Sequence, residues 1–312
     1  MSRTRSCSSR RTPRATSRGR SMRSTEGFCL PSESRDQRSA ASINQEKVGM
    51  SEYETVVLER DAGAALVTLN RPKAANTLSR QLMRDLVAVT DELRADDDVR
   101  VVIVTGAGER HFCGGADLRD AGDAVRGGKM DMPPRMPIDE LERLPQPVIA
   151  AINGAAMGGG CEIALACDFR LIADDAKIGL TEITFGALPG GGGTQRLPRL
   201  IGVAKAKELI MLGGRLTAQE AHDIGLVNEV VPKAELMERA RALAAELGEL
   251  APYAVRAAKR CINEGLSMTL EQGLRLEQHV IMTMGSPEER QEAIERAMAK
   301  SSTYSNIFSG KR

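Results

Sequence analysis

Two glutamates and three glycine-rich segments are the parts of this sequence best suited to chemistry. Gly158, Gly159 and Gly160 stand between an apolar run and a helical pattern that carries Glu162. Free backbone N–H groups at a helix start, with the positive end of the helix dipole behind them, stabilise an oxygen atom that gains negative charge. The segment is half of a candidate oxyanion hole, although three glycines alone are more typical of close packing between a helix and a sheet.

Two later segments strengthen this interpretation. The stretch from His111 to Leu118 again places glycines where a strand is predicted to leave its sheet, so two backbone loops could hold one carbonyl oxygen. Glu182 follows a short predicted strand, and a four-glycine turn opens the next helix. Two carboxyl groups suit general acid–base chemistry, because one accepts a proton while an apolar pocket keeps the other protonated near neutral pH.

The elements that must position these residues alternate between strands and helices. The apolar patterns predict strands at 55–59, 64–69, 101–104, 148–152 and 170–173, with helices at 78–93 and 158–167. Strands that alternate with helices favour parallel pairing through right-handed crossovers, so we predict an α/β fold. Beyond Gly202 the pattern is almost entirely helical, with predicted helices at 204–212, 217–224, 233–250, 252–264, 268–284 and 287–300.

Composition divides the chain and excludes several function classes. Residues 1–50 carry a net charge of +7 and the remainder carries −6, so the folded part lacks the clustered basic side chains of a nucleic-acid-binding surface. The six cysteines show no CxxC pair, which argues against a zinc site and a disulfide framework. No apolar run approaches the roughly 18 residues of a membrane helix. We therefore expect no bound metal, no membrane segment and no nucleic-acid partner.

Three domains are predicted from these patterns. Residues 1–49 are rich in Ser and Arg and poor in aliphatic residues, which predicts a disordered extension. The α/β core is predicted to cover 50–245 and a helical subdomain 246–312. We expect activity to survive deletion of the extension. A cytoplasmic location is expected, or the mitochondrial matrix if the extension is a transit peptide, although it has too few large apolar residues to be amphipathic.

The chain from about Tyr53 onward resembles the crotonase superfamily, and its enoyl-CoA hydratases in particular. The resemblance rests on Arg71-Pro72 with Asn76, on the stretch from Phe112 to Leu118, and on the stretch from Asn153 to Arg196. It implies a spiral of strand-strand-helix repeats with a C-terminal helical trimerisation subdomain. It also implies an acyl-CoA substrate, a homotrimer or dimer of trimers, and no cofactor, because coenzyme A is part of the substrate.

The resemblance also implies a role for individual residues. Glu162 would be the general base and Glu182 the general acid in hydration of an enoyl thioester, although both could instead hold one water molecule. The backbone N–H groups of Cys113 and Gly159 would form the oxyanion hole, which leaves the Cys113 thiol without a catalytic role. The positions implied for substrate and coenzyme A binding are Lys73, Ala74, Ala75, Gly114, Gly115, Ala116, Asp117, Leu118, Gly158, Pro189 and Gly190.

Alternatives remain within and outside this family. Isomerases, hydrolases and decarboxylases share the oxyanion hole but typically lack one of the two glutamates, and a methylglutaconyl-CoA hydratase-like activity is a further alternative. An RNA-binding member would need a lysine-rich helix, whereas 79–94 contains no lysine. Thr105-Gly-Ala-Gly108 lacks the third glycine of a dinucleotide loop. Ile294 stands where the family usually has Phe, which leaves chain-length preference open, as does the acyl-pocket stretch 120–138.

Overall fold

A computed structural model of the protein describes residues 53–126 and 134–300. These residues belong to one unit of the chain, which spans 47–312. The predicted disordered extension at 1–49 lies outside the described residues, and so does part of the predicted acyl-pocket stretch 120–138. Within the described ranges, no helix is both long and apolar enough to cross a lipid bilayer.

The strands of the described residues form two sheets. They are β1 (Val56–Asp61), β2 (Ala64–Leu69), β3 (Val101–Gly106), β4 (His111–Cys113), β5 (Val148–Ile152), β6 (Ala155–Met157), β7 (Phe169–Ala173), β8 (Lys177–Gly179), β9 (Arg215–Thr217) and β10 (Glu229–Val231). The larger sheet has the order β1-β2-β3-β5-β7-β10 and is parallel from β2 onward, while β1 and β2 form an antiparallel hairpin. The smaller sheet has the order β4-β6-β8-β9, in which only β9 is antiparallel to its neighbour.

Helices connect the strands and then continue alone to the end of the described chain. They are α1 (Arg80–Ala95), α2 (Leu118–Arg126), α3 (Pro137–Glu142), α4 (Gly159–Ala166), α5 (Gly193–Ile201), α6 (Val203–Leu212), α7 (Ala218–Asp223), α8 (Leu236–Gly248), α9 (Pro252–Gly265), α10 (Leu270–Thr283) and α11 (Pro287–Lys300). Three short 3₁₀ helices lie at Pro72–Ala74, Glu182–Phe185 and Lys233–Glu235. The helices predicted beyond Gly202 are confirmed, each within a few residues of its predicted ends.

A repeated unit of two strands and a helix builds the core. A longer strand of the large sheet leads to a three-residue strand of the small sheet and then to a helix, as in β5, β6 and α4 or in β7, β8 and α5. The predicted α/β fold with strand-strand-helix repeats is therefore confirmed. The short strands β4, β6 and β8 were not predicted, because three residues cannot display a period of two.

The hydrophobic core fixes the ends of the central strands. Every residue of β3 and β5 is buried, and the apolar face of α1 is fully buried at Leu82, Leu86, Val89 and Leu93. Burying one such leucine contributes about 1.5–3 kcal/mol, so this packing holds α1 firmly against the sheet. Because β3 and β5 are parallel neighbours, the segments that follow them leave the large sheet side by side. These segments are 107–117, which contains β4, and 153–158, which contains β6.

The C-terminal helices attach to the core through a buried cation. The Lys259 ammonium on α9 donates to the Asp168 carboxylate at 2.7 Å and to the carbonyl oxygen of Gln146 at 2.9 Å. The same carboxylate oxygen accepts the Val148 N–H at 2.7 Å, so α9 is tied to the start of β5. The boundary predicted between residues 245 and 246 falls inside α8, which continues to Gly248.

Candidate active site

The start of α4 is shaped by Gly158, which has a φ of +53°. Its N–H donates to the carbonyl oxygen of Gly179 at 2.8 Å, which joins the turn to the end of β8. A Cβ atom at this position would lie 3.1 Å from Oε1 of Glu182. Glycine is therefore required both by the backbone conformation and by the close approach of the carboxyl group.

Two backbone N–H groups meet beside this turn. Gly159 is the first residue of α4, so its N–H has no acceptor within the helix. Ala116 forms an isolated parallel bridge with Leu78, in which the flanking Gly115 oxygen and Asp117 N–H make the hydrogen bonds. The N–H of Ala116 consequently points away from Leu78, and its nitrogen lies 3.7 Å from the Cβ position of Gly159.

Gly115 makes this approach possible. Its φ is +93°, and a Cβ there would come within 2.7 Å of the Met157 oxygen and 3.3 Å of the Gly159 nitrogen. Ala116 itself is exposed. The N–H groups of Ala116 and Gly159 therefore form a candidate oxyanion hole that opens toward a ligand.

The geometry favours Ala116 over the predicted donor Cys113. Cys113 lies inside strand β4, paired with β6, and its side chain is fully buried. A Cβ on Gly160 would come 2.1 Å from the Cys113 oxygen, so α4 packs directly on this part of the strand. Burial raises the pKa of the Cys113 thiol to about 12. We therefore favour the N–H of Ala116, three residues further along the chain, over that of Cys113 as the second oxyanion donor, and the lack of a catalytic role for the Cys113 thiol stays a prediction.

Glu162 lies in the first turn of α4 and is held by the glycine-rich loop that precedes α5. Its side chain is buried, and Oε1 accepts the N–H groups of Gly191 and Gly193, both at 2.8 Å. A Cβ on Gly191 would lie 2.6 Å from Oε2. Burial raises the pKa of Glu162 above its usual value, and the two N–H donors and the charge of Arg196 oppose that rise.

Glu182 stands in contrasting surroundings. It begins the 3₁₀ helix Glu182–Phe185, three residues after Gly179 ends β8. Both carboxyl oxygens are buried, and neither has a hydrogen-bond partner within the described part of the chain. Burial, with a further contribution from the charge of Glu162, raises the pKa of Glu182 to about 7, and the nearby backbone N–H groups of Glu182 and Thr181 oppose that rise only in part.

The structure brings most of the other predicted binding residues to the same place. The carbonyl oxygen of Ala75, which follows the 3₁₀ helix containing Lys73 and Ala74, accepts the N–H of Gly114 at 2.8 Å. The Asp117 carboxylate pairs with Arg71 at 3.1 Å. These contacts place the loop after β2 directly beside the loop that carries Ala116.

The remaining predicted positions are Leu118, Pro189 and Gly190. Leu118 begins α2 with 61% of its surface exposed. Pro189 packs against Gly193, since a Cβ there would lie 2.9 Å from the Pro189 Cβ. Gly190 faces open space, where a Cβ would contact only the Leu188 oxygen at 3.9 Å. Among the described residues, no group of three or more potential metal ligands is found.

Sequence reasoning missed the residues that orient Glu162. The four-glycine run was interpreted as a turn that opens a helix, which is correct for α5 but incomplete. The run also supplies the N–H groups of Gly191 and Gly193 to Glu162. Arg196 was noted only as part of the motif, although its side chain bonds the same loop. Four consecutive glycines, where one is enough for a helix start, were the available signal.

Known proteins are similar to this chain in sequence and structure. The sequence model of the enoyl-CoA hydratase/isomerase family matches residues 59–303. A Bacillus subtilis protein described as an enoyl-CoA hydratase/isomerase is 45% identical over 238 residues, which cover 76% of this chain and 92% of the relative. The short-chain-enoyl-CoA hydratase of Clostridium acetobutylicum is 40% identical over 245 residues, covering 78% and 94% respectively.

Solved structures give the same result. The crystal structure of an enoyl-CoA hydratase from Bacillus anthracis superimposes with a TM-score of 0.67 at 43% identity, covering 73% of this chain and 90% of that one. The enoyl-CoA hydratase structure from Mycobacterium tuberculosis gives a TM-score of 0.71 at 33% identity, covering 78% and 96%.

Proposed function

The chain belongs to the enoyl-CoA hydratase/isomerase family of the crotonase superfamily, and from this premise we propose that it is an enoyl-CoA hydratase. The proposed reaction is the reversible syn addition of water to a trans-2-enoyl-CoA, which gives a 3-hydroxyacyl-CoA. Such a step belongs to the degradation of fatty acids or related acyl-CoA thioesters. Support comes from the oxyanion hole and from two carboxyl groups with different surroundings.

The thioester carbonyl oxygen is proposed to bind the N–H groups of Ala116 and Gly159. Hydration of the double bond builds negative charge on this oxygen, because the electron pair of the double bond moves toward the carbonyl as an enolate forms. Preorganised N–H donors stabilise that charge without reorganising, and one donor contributes a factor of about 10²–10³ in rate. Polarisation of the carbonyl also makes the β-carbon electrophilic.

The two carboxyl groups are proposed to complete the addition. Glu162 accepts a proton from water as the water oxygen bonds to the β-carbon, and Glu182 gives its proton to the α-carbon as the enolate collapses. The product gains the hydroxyl group of the water at the β-carbon and the Glu182 proton at the α-carbon, which together amount to one water molecule; Glu162 ends protonated and Glu182 ionised, and proton exchange with solvent restores the starting state. General acid–base groups of this kind each contribute roughly 10²–10⁴-fold.

The single observation that carries this proposal is the contrast between the two carboxyl groups. Glu162 has an oxygen fixed by two N–H donors, which favour its ionised form. Glu182 has two buried oxygens without partners in the described chain and a pKa of about 7, which favours the neutral form. Environments that push two carboxyl groups apart in pKa are what an acid and a base in one site require.

Hydration of crotonyl-CoA by the purified protein, followed by loss of the enoyl absorbance, tests the proposal. We expect turnover, syn stereochemistry in D₂O, and a rate that falls as the pH rises through about 7, because Glu182 must be protonated to act as the acid. A panel of enoyl-CoAs from C4 to C16 would define the acyl preference. Absence of hydration across the panel would refute the proposal.

Isomerisation is the alternative activity within the family. Moving a double bond from the 3- to the 2-position needs a single group that carries a proton between two carbons. If Glu162 is that group, Glu182→Gln would keep activity on a 3-enoyl-CoA. If Glu182 is that group, Glu162→Gln would keep it. Hydration needs both groups. A protein that isomerises 3-enoyl-CoA but does not hydrate crotonyl-CoA would establish this alternative.

We also propose that the protein assembles as a homotrimer or a dimer of trimers. The C-terminal helices expose large apolar side chains that a monomer would leave in water, such as Ile262 at 64%, Leu270 at 80% and Met282 at 78%. Light scattering coupled to gel filtration tests this assembly. We expect activity without an added cofactor, and a cytoplasmic location, or the mitochondrial matrix if 1–49 is a transit peptide.

A further inference from the structure

Arg196 joins the glycine-rich loop to two acidic side chains. Its Nη1 donates to the carbonyl oxygen of Gly191 at 2.8 Å. Nε and Nη2 form a two-point pair with the Glu142 carboxylate at 3.0 and 2.7 Å, and Nη2 also contacts Asp139 at 2.8 Å. The Arg196 side chain is only 15% exposed. Its fork is therefore fixed from α3 on one side and directed at the loop on the other.

The loop contact leads directly to Glu162. Gly191 donates its N–H to Glu162 and offers its carbonyl oxygen to Arg196, so this residue is held on both sides. At Gly192, a Cβ would come 1.9 Å from Nη1 of Arg196, so a side chain there would displace the guanidinium. The glycine at 192 also has a φ of +102°, which disfavours any other residue.

We propose that Arg196 is a positioning residue for the Glu162 carboxylate, acting through the peptide groups of the loop from Gly190 to Gly193. Under this proposal Arg196 does not touch the substrate. It keeps two N–H groups aimed at Oε1, which leaves Oε2 as the oxygen that accepts a proton from water. The inference rests on the proposed function, since it assigns Glu162 the role of base.

The electrostatic surroundings of Glu162 give the expected direction of a pH effect. The titratable and charged groups around it are Asp139 and Glu142 on α3, Cys161 on the same helix, Cys113 on β4, Glu182 in the 3₁₀ helix and Arg196 on α5. Arg196 lowers the pKa of Glu162 and Asp139 raises it. Loss of the guanidinium also loosens the two N–H donors, which lowers the stability of the ionised form. Both effects raise the pKa of Glu162.

Three variants separate positioning from a general structural role. Arg196→Met removes the charge and the hydrogen bonds, and Arg196→Lys keeps the charge but loses the two-point geometry. Arg199→Met is the matched control, because Arg199 lies on the same helix and, among the described residues, its side chain hydrogen-bonds only with Gln195. The readouts are kcat and KM for crotonyl-CoA from pH 5 to 9, and a ¹³C NMR titration of the Glu162 carboxyl, assigned by its loss in Glu162→Gln.

We expect Arg196→Met to lower kcat at pH 6.5 by about 10- to 100-fold while KM changes less than about threefold. The Glu162 carboxylate would be misplaced and, with a higher pKa, more often protonated at this pH, which slows proton transfer rather than binding. The acidic limb of kcat and the NMR titration of Glu162 should both move to higher pH. Arg196→Lys should lower kcat less and leave the titration nearer to that of the parent. Arg199→Met should match the parent protein in every readout.

A folded Arg196→Met protein with an unshifted Glu162 titration and parental kcat would overturn the proposal. If Arg196→Met does not fold, Arg196→Lys decides: a parental kcat in that variant overturns the proposal, and a reduced kcat with parental KM supports it. The NMR titration does not depend on hydration. A parent protein that hydrates no enoyl-CoA, but whose Glu162 titration still shifts in Arg196→Met, would refute the proposed function and leave the positioning role intact.

Discussion

The region around Glu162 and the region around Glu182 hold the same carboxyl group in two different ways. Glu162 sits on the wholly buried helix α4, and one of its oxygens accepts two N–H groups. Glu182 begins a 3₁₀ turn whose following residues, Ile183 and Phe185, are exposed, and its own oxygens have no partner in the described chain. The surroundings of Glu162 supply hydrogen-bond donors to its carboxylate, and those of Glu182 leave both carboxyl oxygens without a partner in the described chain.

The difference teaches that backbone geometry and burial, rather than residue type, set the charge state that each carboxyl group favours. N–H donors stabilise the ionised carboxylate and disfavour its protonation, whereas burial favours the neutral form. Burial is the main cause that raises the pKa of Glu182 to about 7. The glycines at 158, 191 and 193 are what allow backbone to approach the two carboxyl groups this closely.

The largest expected effect comes from removing either carboxyl group. Glu162→Gln and Glu182→Gln should each lower kcat on crotonyl-CoA by about 10³-fold or more, because a neutral amide neither accepts nor supplies the proton. The amide keeps the shape of the side chain, so circular dichroism and the melting temperature should show a folded protein. A variant with near-parental turnover would show that its carboxyl group has no part in the reaction.

The next largest effect tests the two oxyanion donors. Replacing Ala116 with lactic acid by nonsense suppression exchanges one N–H for an ester oxygen and leaves the side chain unchanged. We expect kcat to fall by about 10²-fold, the usual effect of losing one donor. The matched control is the same kind of N–H to ester exchange at Cys113, with Cys113→Ala as a side-chain control. A larger loss of kcat at Cys113 than at Ala116 would restore the donor expected from the sequence.

A smaller effect is expected when the loop that holds Glu162 is disturbed. Gly191→Ala would place a Cβ atom 2.6 Å from Oε2 of Glu162, which is too close, so the carboxyl group must shift. A misplacement near 1 Å can cost up to about 10²-fold in rate, and we expect a loss of about 10- to 100-fold in kcat. Gly248→Ala, outside the site, is the control, since nothing lies within 4 Å of a Cβ there. Equal kcat in the two variants would contradict the role of the loop.

Sequence alone specified the large elements of this protein but not the finest contacts. The apolar pattern over 78–93 predicted α1, because burial follows helical periodicity, and Leu82, Leu86, Val89 and Leu93 are among the residues that the helix buries. The predicted oxyanion donor was three residues away from the favoured one. Which backbone N–H is free to bind a ligand depends on the bridge between Leu78 and Ala116, a long-range contact that local sequence spacing does not encode.

The hydrogen bonds from the Gly190–Gly193 loop to Glu162 were not predicted, for a related reason. Its four glycines indicate freedom from side chains, but not which atom takes up the space. Glu162 lies 29 residues from Gly191 in sequence, and only packing of α4 against α5 brings them together. The identity of the two glutamates was nevertheless predictable, because their motif context is local even though their hydrogen bonds are not.

The smallest expected effect is on stability and sharpens the same contrast. The folded protein binds a proton at Glu182 more tightly than the unfolded chain does, since the pKa rises from its usual value near 4.3 to about 7. The stability that the neutral carboxyl contributes is therefore fully present below about pH 4 and is lost as the pH rises through about 7.

Glu182→Gln does not titrate, so it should melt about 2–4 °C above the parent at pH 8 and show a smaller difference at pH 5. Thermal unfolding at both pH values, at equal protein concentration, measures this difference. The same measurement on Glu162→Gln is the comparison: burial also raises the pKa of Glu162, but two N–H donors oppose that rise and can still bond the Gln oxygen, so its melting temperature at pH 8 should rise less than that of Glu182→Gln. A Glu182→Gln that is destabilised at pH 8, or stabilised no more than Glu162→Gln, would mean that the two carboxyl groups are held alike.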